Sequence, residues 1–293
     1  MKTIASFDPL QEETKKVHQL LLGAIGPRPI AFASTIDDRD RPNLSPYSFF
    51  NVFSANPPIL IFSPARRVRD NTTKHTLENC KKVKEVVINI VNYDIVQQMS
   101  LSSTEYGEGV NEFEKAGLTM VASKKIRPYR VKESPVQLEC KVQEIISLGN
   151  KGGAGNLIIC EVVMIHINTA ILDNTGVIDQ GKIDQVARMG GNWYTRARDG
   201  MFEVPKPLSV KGIGVDALPH SIKNSEILTG NDLGILGNTE SLPSAQEIAN
   251  FVDKNKEDVR KIKSLNTVEI HKLAQSFIAK GAVKKALFIL MIY

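Results

Sequence analysis

Short runs of β-favouring residues separated by polar turns fill the N-terminal part of this chain, and the densest series lies between Pro27 and Pro64. The pattern predicts strands over Ile30–Ile36, Asn43–Phe53 and Ile59–Phe62. Pro46 interrupts the second strand, and a proline inside a strand implies an edge, a bulge or a break. The many small hydroxyl, amide and proline residues are typical of either a bulged β-meander or a ligand cleft, and the residues alone favour neither.

The first predicted strand carries small side chains, Ala31, Ala33 and Ser34, where a dense sheet core would have bulky ones. We therefore predict that this sheet surface is partly vacant. A break at Pro46 would leave neighbouring backbone N–H and C=O groups free to bind a ligand there.

The rest of the N-terminal part shows the same alternation of strands and turns. Further predicted strands cover Glu85–Asn92, Leu118–Ala122, Pro135–Leu148 and Leu157–Asn168, the last two forming a hairpin around Gly149–Gly155. Short helices are predicted over Asp8–Leu22, Asp94–Ser102 and Asn111–Ala116, and the polar loop Ser102–Gly109 is a candidate lid. Many strands with few helices between them indicate an antiparallel barrel, so the predicted class is mainly β with flanking helices.

The C-terminal part has a different pattern, which predicts a loop-rich and helical extension over 207–293 after a first domain over 1–206. Lys206–Leu242 is rich in loops, and the capping box Ser244–Glu247 starts a helix that runs to about Lys263. Thr267 is predicted to cap a last helix through about Lys280, with a possible extension into the apolar tail that ends at Tyr293. We expect this tail to pack on its own chain or on a dimer mate.

Composition and charge exclude several classes of protein. The 293 residues are 42% hydrophobic and 24% charged, which excludes a disordered chain. The net charge of +5 is too diffuse for a nucleic-acid surface, although Arg66, Arg67 and Arg69 favour anionic small molecules such as phosphate-bearing cofactors. The three cysteines have no metal-site spacing, and we expect them to be reduced thiols in a cytoplasmic protein, with no signal peptide or membrane span.

Three stretches carry candidate chemistry. Arg28 stands between two prolines that fix its direction, so it could bind phosphate or carboxylate or form a structural ion pair. The Asp/Asn/Thr-rich segment before Leu77 predicts a helix start whose free N–H groups suit phosphate, although a capped surface helix fits equally well. Trp193 and Tyr194 follow two glycines and could cover a flat ligand, but a barrel cap is the simpler role for Trp193.

At these residues the chain resembles the flavin reductase-like family of FMN-binding split β-barrel proteins. The resemblance lies in an ordered series of motifs: GPRPIAFAST, NLSPYSFFN, SANPP, KHTLEN, FEKAGLT, ESPVQLEC and MGGNWYTR. Members of the family commonly show a Lys-Asp-Thr pattern followed shortly by Asn near the cofactor phosphate. Lys74, Thr76 and Asn79 match this pattern, whereas His75 replaces the acid and leaves no acidic role at that position.

The resemblance implies an FMN-binding split β-barrel that forms a homodimer, with FMN at or near the subunit interface. It implies that the cofactor-binding residues are Arg28, Thr35, Asn43, Ser45, Pro46, Tyr47, Ser48, Phe49, Ser63, Lys74, Thr76, Asn79, Gly190 and Tyr194. No separate catalytic residue or metal is expected, because the isoalloxazine ring carries the redox chemistry.

The implied function is that of an NAD(P)H:flavin reductase, which passes a hydride from NADH or NADPH to FMN. A passive FMN electron carrier and a reductase component that supplies a monooxygenase are alternatives within the flavin class. A cofactor-free barrel that binds a protein partner through 207–293 is the alternative from another class.

Overall fold

The computed structural model describes residues 3–204 and 211–292. The chain divides into two compact units, Met1–Phe202 and Glu203–Tyr293, here called the barrel unit and the helical unit. The predicted domain boundary between residues 206 and 207 lies outside the described residues, and it stays a prediction.

Eleven strands lie in the described part of the barrel unit. They are β1 (Ala31–Ile36), β2 (Pro42–Tyr47), β3 (Phe50–Ala55), β4 (Pro58–Phe62), β5 (Glu85–Ile90), β6 (Met120–Val121), β7 (Arg130–Val131), β8 (Val136–Ser147), β9 (Asn156–Ile167), β10 (Val186–Arg188) and β11 (Tyr194–Arg196). Seven of them form one antiparallel sheet in the order β2-β1-β5-β8-β9-β4-β3, while β6–β7 and β10–β11 are separate pairs. The mainly antiparallel fold and the β8–β9 hairpin are confirmed.

The order of the strands requires this sheet to roll up. The edge strands β2 and β3 are consecutive in the chain and are joined only by Ser48 and Phe49. Three Cα–Cα steps from Tyr47 to Phe50 span at most about 11 Å. A flat sheet of seven strands would separate its edges by about 29 Å. The sheet therefore curls until its two edges approach each other, which gives a barrel with a split between β2 and β3.

Five helices flank the sheet in the described part of the barrel unit. They are α1 (Thr14–Ala24), α2 (His75–Lys82), α3 (Val96–Leu101), α4 (Glu112–Ala116) and α5 (Gln180–Ile183). Asn111 caps the start of α4 by accepting from the Phe113 N–H, and Gly117 ends it in the left-handed conformation. The predicted helices near α1, α3 and α4 are confirmed.

The predicted vacancy over the first strand is filled by a helix. Ala31 and Ala33 belong to the main core cluster together with Leu77 and Cys80 of α2. Their small side chains thus allow α2 to pack closely on β1, and they leave no open space for a ligand. The prediction of a vacant sheet surface was wrong at this point.

Of the three alternatives for Pro46, an edge, a bulge or a break, the structure shows an edge, and the predicted opening in the strand at this residue was wrong. β2 continues through Pro46, which lies opposite Phe32 of β1, and the chain leaves the strand only at Ser48 and Phe49. The missing N–H costs little because β2 is an edge strand with no neighbour on its outer side. The range Asn43–Phe53, predicted as one strand, therefore contains parts of two strands, β2 and β3, at opposite edges of the sheet.

The described part of the helical unit is an α-helical assembly. Its helices are α6 (His220–Lys223), α7 (Gly230–Gly237), α8 (Ala245–Lys254), α9 (Lys256–Lys263), α10 (Thr267–Ile278) and α11 (Val283–Met291). The capping box at Ser244 and Glu247 is confirmed. The helix predicted from Ser244 to Lys263 is interrupted at Asn255, which separates α8 from α9. The helix predicted to be capped by Thr267 is α10, and its cap is Asn266.

Two further predictions concern this unit. The stretch predicted as loop-rich contains α7, which begins with a second capping box formed by Thr229 and Asp232. The apolar tail packs on its own chain, because Ile289 and Leu290 of α11 are buried in the core of the helical unit. Within 3–204 and 211–292, no helix combines the length and the apolar character that a membrane crossing requires.

Candidate functional site

The edge strand β2, the start of α2 and the loop Ser102–Gly109 meet around a small cavity, here called the polar pocket. It is lined by Asn43, Ser45, Tyr47, Arg67, Lys74, His75, Thr76, Ser102, Ser103, Thr104, Glu105, Tyr106 and Glu112. Its volume is only ≈ 20 Å³, which holds about one water molecule. The structure thus brings five of the predicted site residues together in one small pocket.

A buried amide–hydroxyl network supports the floor of this pocket. The Asn43 amide donates to Thr76 Oγ1 at 2.9 Å and to Thr35 Oγ1 at 3.3 Å, and the Asn79 amide donates to Thr35 Oγ1 at 3.1 Å. All four residues are buried. Thr35 and Asn79 therefore lie behind the pocket, where they hold the Asn43 and Thr76 side chains in place.

The start of α2 supplies a positive electrostatic environment. Lys74 is the N-cap residue, and no side chain caps the helix. The first N–H groups of a helix have no partner within it, and together with the helix dipole they attract anions. Burial, and then the nearby Arg67 guanidinium, lowers the pKa of the half-buried Lys74 ammonium. The mouth of the pocket therefore favours a negatively charged group.

A carboxylate of the chain already lies among these cations. Glu105 accepts from Arg67 Nε at 2.9 Å and from Arg69 Nη2 at 2.9 Å, and it lies 3.9 Å from Lys74 Nζ. Hydrogen bonds from Arg67 and Arg69 lower the pKa of this carboxyl. The Glu105 carboxyl is therefore negatively charged at neutral pH and holds this charge further into the acid range than an ordinary glutamate.

Tyr47 separates the polar pocket from a larger cavity and presents an unpaired hydroxyl. Its ring is buried against Phe62, with ring centroids 5.6 Å apart. Its buried Oη has no hydrogen-bond partner of acceptable geometry among the described residues. Burial raises the pKa of Tyr47 to about 12, although the Thr76 and Ser45 hydroxyls lie close enough to oppose that shift. An unpaired buried hydroxyl is costly unless a ligand completes it.

The larger cavity, here called the Tyr47 cleft, has a volume of ≈ 330 Å³. It is lined by Ile30, Pro46, Tyr47, Ser48, Met99, Ser100, Ser103, Arg188, Asn192 and Tyr194. The Arg188 guanidinium carbon lies 4.6 Å from the centre of the Tyr194 ring. This cleft therefore combines a cationic group, aromatic surface and hydroxyl groups in one place.

Besides Thr35 and Asn79, which lie behind the polar pocket, four predicted site residues line neither cavity. The buried Arg28 guanidinium donates to the backbone carbonyls of Leu22, Ile25 and Met189. This favours the structural role for Arg28, in which it ties the end of α1 to the β10–β11 turn. The others are Ser63, whose Oγ accepts from the Asn156 N–H, the surface residue Phe49, and Gly190, which packs against Gly23.

Trp193 does not cap the barrel, because its side chain is 77% exposed. It stands in the turn between β10 and β11, where its carbonyl accepts from the Met189 N–H. The prediction of a capping role was therefore wrong.

Sequence reasoning missed three residues of the site: Glu105, Glu112 and Arg188. Glu112 is buried, its Oε2 accepts from the Leu44 N–H at 3.0 Å, and burial raises the pKa of its carboxyl. No local pattern marked these side chains, because each reaches the site from an element that is distant in sequence. For Arg188, its place directly before the MGGNWYTR motif was the one available signal.

The donors and shape of the site suit a ligand with an anionic end and a flat ring with a polar edge. The uncapped N–H groups and Lys74 suit the anionic end, and Arg188 beside the Tyr194 ring suits the flat ring. Across the described ranges, no group of three or more His, Cys, Asp or Glu side chains is arranged to hold a metal ion. All three cysteines are free and buried, and burial raises the pKa of the Cys80 thiol to about 12.

Comparisons with known proteins agree with this fold. Residues 24–187 match the family model described as "Flavin reductase like domain". A protein of Aquifex aeolicus is 36% identical over 181 residues, which cover 62% of this chain and 90% of the relative.

Two solved structures are similar to the barrel unit. Nitrilotriacetate monooxygenase component B from Bacillus cereus is 29% identical with a TM-score of 0.65, and the match covers 70% of this chain and 100% of that one. A Shewanella frigidimarina protein, described as a flavin reductase with a split barrel domain, is 27% identical with a TM-score of 0.57 and matches 67% of this chain and 95% of its own.

Proposed function

We propose a function from the premise that this chain belongs to the flavin reductase like domain family, whose model matches more than half of its residues. We infer that it is a flavin-dependent oxidoreductase that binds FMN without a covalent bond and reduces it with NADH or NADPH. Bound FMN supplies the redox chemistry, and the protein supplies binding, orientation and electrostatics. The uncapped, positively charged start of α2 beside the buried Tyr47 hydroxyl is the observation that carries the proposal.

We assign the FMN phosphate to the polar pocket. Lys74 and the first N–H groups of α2 would hold it, and the Thr76 side chain would complete its hydrogen bonds. The remaining predicted residues of this pocket, Asn43 and Ser45, would contact the adjoining sugar-alcohol chain. Thr35 and Asn79 then act from behind as supports.

We assign the flavin ring to the Tyr47 cleft. The Ser48 side chain would face the polar edge of the ring, and Arg188 would place positive charge beside it. The Tyr194 ring would provide apolar contact.

We further propose that the protein is a cytoplasmic homodimer. Large apolar side chains remain exposed on the barrel unit, including Val52 (64%) and Phe53 (63%) on the edge strand β3. Trp193, in the turn between β10 and β11, is exposed as well. An exposed apolar edge strand requires a cover in a well-behaved protein. A second copy of the chain is the occupant that the family resemblance implies, and buried free cysteines suit a reducing compartment.

A second candidate function is that of a reductase component which supplies reduced FMN to a monooxygenase. The similarity to the Bacillus cereus monooxygenase component B favours it. Stopped-flow mixing with NADH and NADPH distinguishes these activities from that of a passive carrier, because a carrier reacts poorly with free nicotinamide.

The primary experiment is a fluorescence titration of the purified protein with FMN, riboflavin and FAD. We expect FMN to bind best, with quenching of its fluorescence. A protein that binds none of the three flavins would contradict the proposal, and a stable complex with another protein would then support the cofactor-free alternative.

A further inference from the structure

A carboxylate of the chain itself lies at the mouth of the polar pocket. Glu105 comes from the loop Ser102–Gly109 and binds Arg67 and Arg69 at the pocket mouth. The pocket retains only ≈ 20 Å³, against ≈ 330 Å³ in the adjoining Tyr47 cleft. With Glu105 at its mouth, the pocket as it stands is too small for a phosphate group.

Glu105 also lies against the same cations that a phosphate in this pocket would contact. Arg67 and Lys74 both line the polar pocket, and the Glu105 carboxylate lies within 4 Å of both. An anion that entered the pocket would compete with this carboxylate for the same two cations. Two negative groups at this distance repel each other, so Glu105 at the mouth opposes the binding of a phosphate.

We propose that Glu105 is an internal competitor of the FMN phosphate, which weakens FMN binding enough to make the flavin an exchangeable substrate rather than a permanently bound group. The inference rests on the proposed function and deepens it. When the phosphate leaves, Glu105 returns to Arg67 and Lys74, so that the protein does not have to leave these cations unpaired. A chain that releases its reduced flavin suits a reductase that supplies a separate enzyme.

The far end of the same loop is held by an independent ion pair. Arg41 Nη2 donates to Glu108 Oε1 at 2.7 Å, and Arg41 Nε donates to Asp37 Oδ2 at 2.6 Å. Neither Arg41 nor Glu108 lines the polar pocket. Glu105 can therefore leave its partners while Glu108 keeps the loop attached, which makes Glu108 a matched control.

The test compares the E105Q and E108Q variants of the full-length protein by fluorescence titration with FMN and with riboflavin at low ionic strength. E105Q keeps the size of the side chain but removes the competing charge. We expect it to lower the Kd for FMN roughly three- to tenfold, the combined effect of two partly exposed ion pairs, mainly through faster FMN association. Riboflavin, which has no phosphate, should keep its Kd. E108Q should change neither Kd, and unchanged thermal unfolding midpoints would show that both variants are folded.

Each other outcome has a defined meaning. An FMN Kd that is unchanged or higher in E105Q would overturn the inference and leave the proposed function intact. Equal gains for FMN and riboflavin would also overturn it, because Glu105 would then act only as a lid. Failure of the unmodified protein to bind either flavin would instead overturn the proposed function, and the inference with it.

Discussion

The barrel unit buries many polar side chains, whereas His271 is the one buried polar residue in the described part of the helical unit. The buried polar residues of the barrel unit are Arg28, Ser34, Thr35, Asn43, Ser63, Thr76, Asn79, Asn89, Ser102, Glu112, Ser134, Gln137, Glu139, Asn156 and Asp184. The core of the helical unit consists of aliphatic residues such as Leu236 and Ile270. The two units thus solve the problem of burial in different ways.

This difference separates a region shaped for a ligand from a region shaped for stability. A buried polar group lowers stability unless its hydrogen bonds are complete, so a cluster of such groups is kept only where it has another use. In the barrel unit one such cluster supports the polar pocket through Asn43 and Thr76. In the helical unit three capping boxes and an aliphatic core all favour the same local structure.

The largest expected effect is a loss of stability in the helical unit that leaves flavin binding unchanged. Ile270→Ala removes a fully buried side chain from its core, and we expect the free energy of unfolding to fall by about 2–5 kcal/mol. Urea unfolding followed by circular dichroism measures this loss, and Val268→Ala, at an exposed position of the same helix, is the control. A comparable loss of FMN affinity in Ile270→Ala would break the distinction between the units.

The next effect should appear in the barrel unit and concern ligand binding. Thr76→Val keeps the shape of the side chain but removes the hydroxyl that accepts from the Asn43 amide and that we propose binds the FMN phosphate. We expect FMN affinity to fall about tenfold or more, as for a lost hydrogen bond to a charged group. Isothermal titration with FMN measures it. Thr73→Val is the matched control, because the Thr73 carbonyl rather than its side chain accepts from Arg67, and an equal loss in that variant would argue against a specific role for Thr76.

A smaller effect is expected at the start of α8. Ser244→Ala removes the side-chain oxygen that accepts from the Glu247 N–H, and we expect a loss of about 1 kcal/mol in the free energy of unfolding. Ser244→Asn should restore most of it, since asparagine is also a good N-cap residue. Thermal unfolding of the three proteins would reveal the series, and equal midpoints would mean that this cap does not limit the stability of the helical unit.

The smallest expected effect is the pH dependence that Glu112 adds to the barrel unit. Burial raises the pKa of its carboxyl in the folded protein, so the folded state holds this proton more tightly than the unfolded state. Stability should therefore fall as the pH rises from the ordinary glutamate pKa of 4.5 through the raised value. Glu112→Gln keeps an acceptor for the Leu44 N–H without this loss. Urea unfolding midpoints of the unmodified protein and of Glu112→Gln at pH 4 and pH 8 measure this loss of stability. If the two proteins differ by the same amount at both pH values, Glu112 is not the cause of the pH dependence.

Local patterns in the sequence predicted the elements well and their partners poorly. The β8–β9 hairpin and the capping box at Ser244 depend on residues close in sequence, and both are confirmed. The positions of β2 and β3 at opposite edges depend on pairing with distant strands, which alternation cannot reveal. For the same reason the sequence could not distinguish among an edge, a bulge and a break at Pro46, and the order of the strands shows that it lies on an edge.

The candidate site was predictable to a similar extent. The motif residues Asn43, Ser45, Tyr47 and Thr76 do meet at one pocket. Glu105, by contrast, lies in a loop of ordinary polar composition, and only the folded chain brings it to Arg67. Whether these residues contact a flavin remains a prediction for the titrations above.

The two-residue link between β2 and β3 has a kinetic consequence. Because these consecutive strands end at opposite edges, β4 must wait for β9, which is synthesised much later, before the sheet can close. Pairing of segments so far apart in sequence makes folding slow, whereas the helical unit depends on neighbours such as α10 and α11. The N-terminal hairpins therefore emerge from the ribosome with unpaired strand edges. These edges favour aggregation until the β8–β9 hairpin has paired with them.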